Sequence, residues 1–370
     1  MARDFFLDYF PPPKYLAMPA VGFDVSDRSL KYVEIERKQG FFRVARYGKK
    51  IIPEGIIESG EIKQKKNFIE FLSSAKKNLE IERILAALPE EKAFLSKIKL
   101  PKMEESEVRG ALELQLEEHV PLSSDDAIFD FELMGNSKKQ LNYLDVNLTA
   151  FPKKMVEDYE NVFEEGGFTT LAFETETRAI ARAIVPEYEM RSCFIVDFGK
   201  TRTTFIIVNK GRVQFTSTVN VAGDDLNSAI AKNFNIDIFQ AETVKKETGL
   251  IKGGGNERIF NSLLPVVSAI RDEISKHIAY WNSHLEDGDA SPDSSSGKSE
   301  KIAKILLCGG DSNLNGFIEY LSYELKMPVE LSNPWVNMFS FKDYIPGIEL
   351  RESLIYTTAL GLALRAARHK

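Results

Sequence analysis

Two stretches of the chain repeat one pattern of apolar and polar positions. Residues 21–52 read VGFDVSDRSLKYVEIERKQGFFRVARYGKKII, and residues 194–221 read FIVDFGKTRTTFIIVNKGRVQFTSTVNV. Each opens on a short apolar strand carrying an aspartate, Asp24 or Asp197. A turn of small and hydroxyl-bearing residues follows, Ser26 to Ser29 or Gly199 to Thr204. A second strand then runs to a glycine-bearing turn, ERKQG or NKGR, before a third begins. Aligning the aspartates puts Ser26 opposite Gly199 and Tyr32 opposite Phe205; only the second turn differs, by two residues. Such a duplication predicts two similar α/β lobes, each unit followed by helices.

The stretch between the repeats has its own pattern. Val108, Ala111, Leu112, Gln115, Leu116 and His119 recur at helical spacing with glutamates on the other side, which predicts an amphipathic helix stopped by Pro121. IFDFELMG and LNYLDVNLTAF read as two strands, and PKKMVEDYENVFEEGGF as a second helix ending at Gly166. The expected division is an aromatic and proline-rich arm at 1–18, and a first lobe from 19–100 with 169–190 and 345–370. An inserted subdomain occupies 101–168, and a second lobe 191–344. The low-complexity run EDGDASPDSSSGKSE at 286–300 reads as a disordered loop. The arm's FFLDYF–PPP segment has four readings: packing on the first lobe, docking on a membrane face, docking on a partner, or capping the protein's own groove.

The paired turns carry the chemistry. A tight turn after a strand offers backbone N–H groups and hydroxyls to phosphate oxygens. An aspartate at the strand end suits the hydrated magnesium that accompanies them. Two such turns facing each other would grip a polyphosphate from both sides.

Composition narrows the rest. At 370 residues, with 43% hydrophobic and 28% charged content, the chain is long enough for more than one packed unit. A formal net charge of -7 argues against nucleic acid or anionic lipid as a general partner. Cys193 and Cys308 each end an apolar run and read as buried core residues, sparse usage that fits a reducing compartment. No apolar run approaches the ~20 residues of a membrane span, and the N-terminus lacks a secretory pattern, so the expectation is a cytoplasmic protein. The four histidines show no metal spacing, and GxxxxGK[ST], GxSxG and paired-cysteine signatures do not occur.

Taken in order, the pieces resemble the actin–hexokinase–chaperone superfamily. Within it they are most similar to the PilM family of type IV pilus assembly, relatives of the division protein FtsA. The resemblance runs from residue 19 to residue 368. GFDVSDRSLKYVEI and DFGKTRTTFIIV resemble the two phosphate motifs, FETETRAIARA the connecting helix, and VAGDDLNSAIA the segment after the second motif. AETVKKETG, ILLCGGDSNLNGFIEYLSYELKMPVEL and YTTALGLALRAA resemble the nucleoside-binding motifs and the closing helix.

The resemblance implies an actin-like, ribonuclease H-like duplicated fold with an FtsA/PilM-type insert, holding ATP or ADP and Mg²⁺ between the lobes. Asp24 and Asp197 would hold the metal through water. Ser26, Asp27, Arg28, Ser29, Lys31, Gly199, Lys200, Thr201 and Thr203 would line the phosphates. Gly223, Asp224, Glu242, Lys245, Gly309, Gly310, Asp311 and Ser312 would serve the phosphate and nucleoside side, and Glu176 would orient water. Taken alone, Glu242 and Lys245 also read as a solvated helical pair, Gly309 and Gly310 as a strand end, and Glu176 as a surface residue. Several positions depart from the family pattern. Ser26, Ala222 and Asp311 stand where glycines are usual, and Asp27 adds a carboxylate that Mg²⁺, Lys200 or Arg202 must offset. The implied binding is weaker than in the family or confined to the metal complex, with slow or no hydrolysis.

By the same resemblance the partners are the cytoplasmic tail of a PilN-like membrane protein, received in a groove beside the insert, and other pilus components, including the motor. The protein would sit at the inner face of the cytoplasmic membrane, with indirect membrane contact and room for self-association. An FtsA-like polymerising scaffold is the alternative; it calls for a C-terminal amphipathic helix, whereas the sequence given ends at LRAARHK. A small-molecule kinase ranks lower, because no carboxylate has the context of a general base facing a sugar pocket.

Overall fold

The computed structural model describes residues 20–38, 40–77, 79, 81–134, 143–287 and 301–368. The N-terminal FFLDYFPPP arm and residues 288–300 of the low-complexity run lie outside them.

Strands β1 (Val21–Ser26), β2 (Ser29–Lys38) and β3 (Phe41–Ile51) form an antiparallel meander. A short hairpin, β4 (Ile57–Glu58) with β5 (Glu61–Ile62), leads to helix α1 (Lys65–Lys76). Strand β6 (Arg83–Leu88) then returns beside β1 in parallel. Strands β7 (Phe94–Pro101), β8 (Ala127–Met134) and β9 (Tyr143–Pro152) build a separate sheet covered by α2 (Glu105–His119). After α3 (Lys153–Glu165), β10 (Thr169–Thr175) completes the first sheet in the order β10-β6-β1-β2-β3. Helix α4 (Glu176–Ile184) crosses to the second lobe.

There β11 (Ser192–Phe198), β12 (Thr203–Asn209) and β13 (Arg212–Val219) repeat the meander. Helices α5 (Gly223–Phe234), α6 (Ile238–Thr248) and α7 (Glu257–Asp287) follow. Strand β14 (Ile302–Cys308), α8 (Phe317–Leu325) and β15 (Val329–Leu331) complete a sheet of order β13-β12-β11-β14-β15. The two orders are the same once β11 is matched to β1 and β14 to β6. A short helix α9 (Leu350–Ser353) precedes the last, α10 (Thr357–Arg368).

Buried strands explain the near-continuous apolar runs: β1 and β11 lie mid-sheet with both faces covered. On one side of the first sheet α1 and α3 share a core with Phe23, Leu30 and Ile84; on one side of the second, α5, α7 and α8 pack with Phe194 and Phe205. Between the sheets lie α4 and α10, whose Ile184, Leu360 and Leu364 join β2 and β12 residues in one cluster. Small residues make that sandwich thin. A Cβ on Gly361 would stand 1.8 Å from the Ala179 carbonyl oxygen, and one on Gly22 would stand 1.9 Å from that of Ala359.

The insert is bounded differently from its expected 101–168. Phe94–Pro101 alternates inward and pairs along its length with β9, so the small sheet starts seven residues earlier. Helix α3, read as part of the insert, buries Val156, Tyr159 and Phe163 in the first-lobe core around Phe23 and Phe68. The insert is therefore β7, α2, β8 and β9, roofed by Val108, Leu112 and Leu116 as the helical spacing predicts. Both cysteines are buried and free.

Gly361→Ala should lower unfolding free energy by about 1–3 kcal/mol, since backbone rather than a pliable side chain occupies the space. Gly110→Ala, in α2 with nothing within 4 Å, should raise it by about 0.5–1 kcal/mol. Urea denaturation of both variants checks the pair; an unchanged Gly361→Ala would contradict the packing.

Candidate functional site

Both sister turns open toward the space between the lobes. Strand β1 ends at Asp24–Ser26 and β11 at Asp197–Phe198, each mid-sheet at the strand's C-terminal end, where open α/β sheets bind ligands. Asp24 is buried and accepts from Lys31 Nζ at 2.8 Å, its register partner on β2. The two aspartates come from different lobes yet stand within electrostatic reach. Burial raises the Asp197 carboxyl above its usual range, Lys31 opposes that, and Asp24 adds to it.

The first turn is braced from within its own lobe. Ser26 Oγ donates to Ser29 O at 3.1 Å and lies 3.2 Å from Ser29 Oγ. Arg28 reaches Glu54 at 2.7 Å. Asp27 accepts from the backbone N–H groups of Ser59 and Gly60, both at 3.1 Å. The carboxylate that the sequence left beside the phosphates thus has partners of its own.

The second turn is tied to α5. Gly199 N donates to Arg202 O at 3.1 Å; Gly223 N donates to Gly199 O at 3.1 Å and Asp224 N to Lys200 O at 2.8 Å. Those two residues at the helix start were expected on the phosphate side, and their N–H groups already have protein acceptors. Thr203 is likewise turned inward, its hydroxyl donating to Val221 O at 2.6 Å. Lys200 is half exposed, 3.7 Å from Glu242 and 3.9 Å from Asp224.

On the nucleoside side the expected residues meet each other. Gly309, at φ 83°, crosses so close to β11 that a Cβ would lie 2.5 Å from Asp197 Oδ1, which explains the glycine. Asp311, in the turn Gly310–Asn313, presses on Gly223, where a Cβ would meet its Oδ2 at 2.0 Å. Lys245 is buried and donates to Asp311 at 2.5 Å and to Gly223 O at 3.2 Å. Ser312 is buried and donates to Cys308 O. Glu242 faces Lys246 at 2.6 Å, which lowers its carboxyl below the usual range. Glu242 and Lys245 are therefore neither a solvated pair nor a pair with each other.

Sequence reasoning offered Arg202 as a cation for Asp27 but missed its nearer partners. Arg202, at the end of the second turn, sends Nη1 to Glu91 and Nη2 to Glu176, each at 2.8 Å, with Asp27 at 3.7 Å. Glu91 lies in the turn Glu90–Lys92 after β6, and Glu176 opens α4, capped by Thr175. One guanidinium cannot neutralise three carboxylates. Burial pushes the Glu176 carboxyl up to about 8; Arg202 opposes this, and Glu91, Asp24 and Asp197 add to it. Burial works against the Arg202 charge, yet the surrounding carboxylates hold its pKa above the ordinary value. A signal was present: PEEK after an apolar strand, and an arginine that joins Lys200 in a turn otherwise built of small residues.

The groove beside the insert was implied only by the resemblance, and none of the residues that line it was legible. A groove of 860 Å³ runs between the insert, the first lobe and the second-lobe hairpin. Ile128 and its register partner Phe151 give it an apolar floor, while Arg178 and Arg182 of α4, Arg212 of β13 and Arg365 of α10 give it cations from three separate stretches of sequence. Helix α4 contributes to both places: Glu176 enters the carboxylate cluster, and Arg178, Ala181 and Arg182 line the groove.

A family model described as type IV pilus assembly protein PilM matches residues 22–367. A solved PilM–PilN type IV pilus biogenesis complex superposes with a TM-score of 0.76 at 20% identity, covering 95% of this chain and 99% of that one. MreB5 of Spiroplasma citri bound to ADP gives 0.53 at 15% identity, covering 94% and 95%. Ethanolamine utilization protein EutJ of Escherichia coli (strain K12) is 26% identical over 118 residues, which is 32% of this chain and 38% of that protein. The fold is the actin-like one that the resemblance implied, with the two similar lobes expected from the repeated turns. Among the described residues no helix is long and apolar enough to cross a membrane.

Glu176 gives a pH test. Unfolded, its carboxyl ionises near 4.5; folded, it keeps its proton to about 8, so its contribution to stability falls as pH rises between those values and is flat above. Glu176→Gln stays neutral throughout, so its unfolding free energy relative to wild type should climb by a few kcal/mol from pH 5 to pH 9. Urea titrations at each pH check this through the slope, because the loss of an Arg202 partner adds a constant offset. Parallel profiles would contradict the assignment.

Proposed function

Because the chain belongs to the PilM family of type IV pilus assembly proteins, we propose that it is a nucleotide-responsive adaptor. It takes ATP or ADP with Mg²⁺ between the lobes and the cytoplasmic tail of a PilN-like membrane protein in the groove. That pairing would hold it at the inner face of the cytoplasmic membrane and connect the pilus motor to the envelope complex.

The observation that carries this reading is the placement of α4, with its first residue in the cleft and its next two turns in the groove. A ligand can shift a two-state protein only through contacts that differ between the states. A rigid helix touching both sites supplies such a difference in one body, so a change in lobe closure moves Arg178 and Arg182 against whatever lies in the groove.

The residues present suit the nucleotide's phosphate and metal end. Asp24 and Asp197 come from opposite lobes, Lys31 and Lys200 add positive charge, and Gly309 leaves no side chain where the nucleoside loop meets β11. Asp24 and Asp197 would hold Mg²⁺ through water, and the metal would supply the charge that lets a polyphosphate sit among carboxylates. Glu176 holds a proton near neutral pH and bonds to Arg202, an arrangement that disfavours general-base chemistry and fits slow or absent hydrolysis. Lys245 and Asp311 satisfy each other, so a nucleoside meets a prebuilt ion pair there.

In the groove, an extended tail has an apolar floor, an arginine-rich wall and the outer edge of β10, whose paired neighbour is β6 alone among the described residues. Ile128→Glu, at a position 41% exposed, places a carboxylate on that floor with little effect on folding. It should weaken binding of a PilN-like tail peptide by about 10-fold or more, since burying an unpaired charge costs more than 1.4 kcal/mol. Leu114→Glu, 89% exposed on α2 and outside the groove, should leave affinity unchanged. Fluorescence anisotropy with the labelled peptide reads both; equal affinities in the two variants would sink the groove assignment.

A further inference from the structure

We infer that Arg202 is a phosphate-reading residue of the cleft, held in reserve by first-lobe carboxylates, so that nucleotide binding exchanges Glu91 for phosphate at its guanidinium. The inference rests on the reading that the cleft takes a nucleotide, and it assigns a role to a residue outside the aspartate and glycine pattern.

Arg202 belongs to the second lobe, and its carboxylate partners Asp27, Glu91 and Glu176 lie on the first lobe or the helix leaving it. The contact therefore spans the cleft. Its side chain is 12% exposed, yet it borders a 290 Å³ cavity at the mouth between the lobes, lined also by Asp27, Arg28, Glu91 and Thr201. Glu54 and Glu58 line it too, and Arg28 is paired with Glu54, so a polyphosphate entering with its metal meets two guanidinium groups that carboxylates already engage.

The present partners are an imperfect match. Five carboxylates (Asp24, Asp27, Glu91, Glu176, Asp197) share Arg202 and Lys31 as close cations. Glu91 Oε2 is buried with no hydrogen-bond partner, so the cluster has more acceptor capacity than donors. Asp27 keeps the Ser59 and Gly60 N–H groups if Arg202 leaves, and Glu176 tolerates the loss because it is poised to hold a proton. Glu91 has no such second anchor for its bonded oxygen, which makes it the carboxylate that competes with phosphate. A guanidinium suits that exchange, since its planar fork binds carboxylate and phosphate oxygens in the same bidentate geometry.

The exchange predicts a specific non-additivity. Glu91→Gln removes the competing charge and should tighten binding of a fluorescent ATP analogue with Mg²⁺ by about 5- to 10-fold, within the usual range of coupling between sites. Arg202→Ala should weaken it by at least about 10-fold. In the Arg202→Ala background Glu91→Gln should give no gain, because nothing remains to be released. That double variant removes both ends of the contact, so it stays informative if Arg202→Ala alone leaves buried carboxylates unpaired and unfolds; circular dichroism reports which variants are folded.

A gain from Glu91→Gln that persists without Arg202 would reduce the effect to general charge relief and overturn the exchange. So would wild-type affinity in the double variant. If wild type binds the analogue and these couplings are missing, the exchange alone fails. If neither wild type nor Glu91→Gln saturates at millimolar analogue, the nucleotide reading fails and the exchange falls with it.

Discussion

A single buried guanidinium joins the two lobes at the place where a ligand would sit. Arg202 comes from the second copy of the repeated turn, and its partners come from the first lobe and from the helix that connects them. Its side chain is only 12% exposed, so parting the lobes there separates charges that are satisfied by each other more than by solvent. The rest of the cleft follows from this constraint. Burial, opposed by Arg202 and reinforced by the neighbouring carboxylates, keeps a proton on Glu176 near neutral pH, and the cleft accepts a further anion only together with a cation or a released partner.

The architecture converts that local contact into a global one. Helices α4 and α10 fill the space between the two sheets with small residues, and glycines at 22 and 361 bring backbone against backbone. Such packing is thin and hard to deform, so α4 moves as a body or not at all. Its N-terminus is fixed by Thr175 and Arg202, while its following turns expose Arg178 and Arg182 to the groove. A groove walled by the insert, the first lobe and the β12–β13 hairpin cannot keep its shape if the lobes change their relation.

Much of this was written locally in the sequence. The duplication was legible because each copy is contiguous: an apolar strand, an aspartate, a turn and a second strand within some thirty residues. The cleft residues were found for the same reason, since Asp24, Asp197 and Gly309 each sit at a strand end. What could not be read was contact between distant stretches. Glu91 and Arg202 are 111 positions apart, and nothing in PEEK names its partner. Lys245 and Asp311, 66 apart, were each named for a ligand, and their contact with each other was not foreseen. Helix α3 was placed in the insert by adjacency, yet the apolar face it presents matches the core around Phe23, a choice made by packing. The arginines of the groove come from α4, β13 and α10 and form no motif.

The central claim is that cleft and groove are coupled through α4, and thermodynamic linkage tests it most directly. Affinity of a PilN-like tail peptide is measured with and without saturating Mg²⁺-nucleotide, and nucleotide affinity with and without saturating peptide. The account predicts that each ligand changes the other's affinity by one common factor of about 5-fold or more. Tight binding of both ligands with affinities indifferent to each other would contradict it.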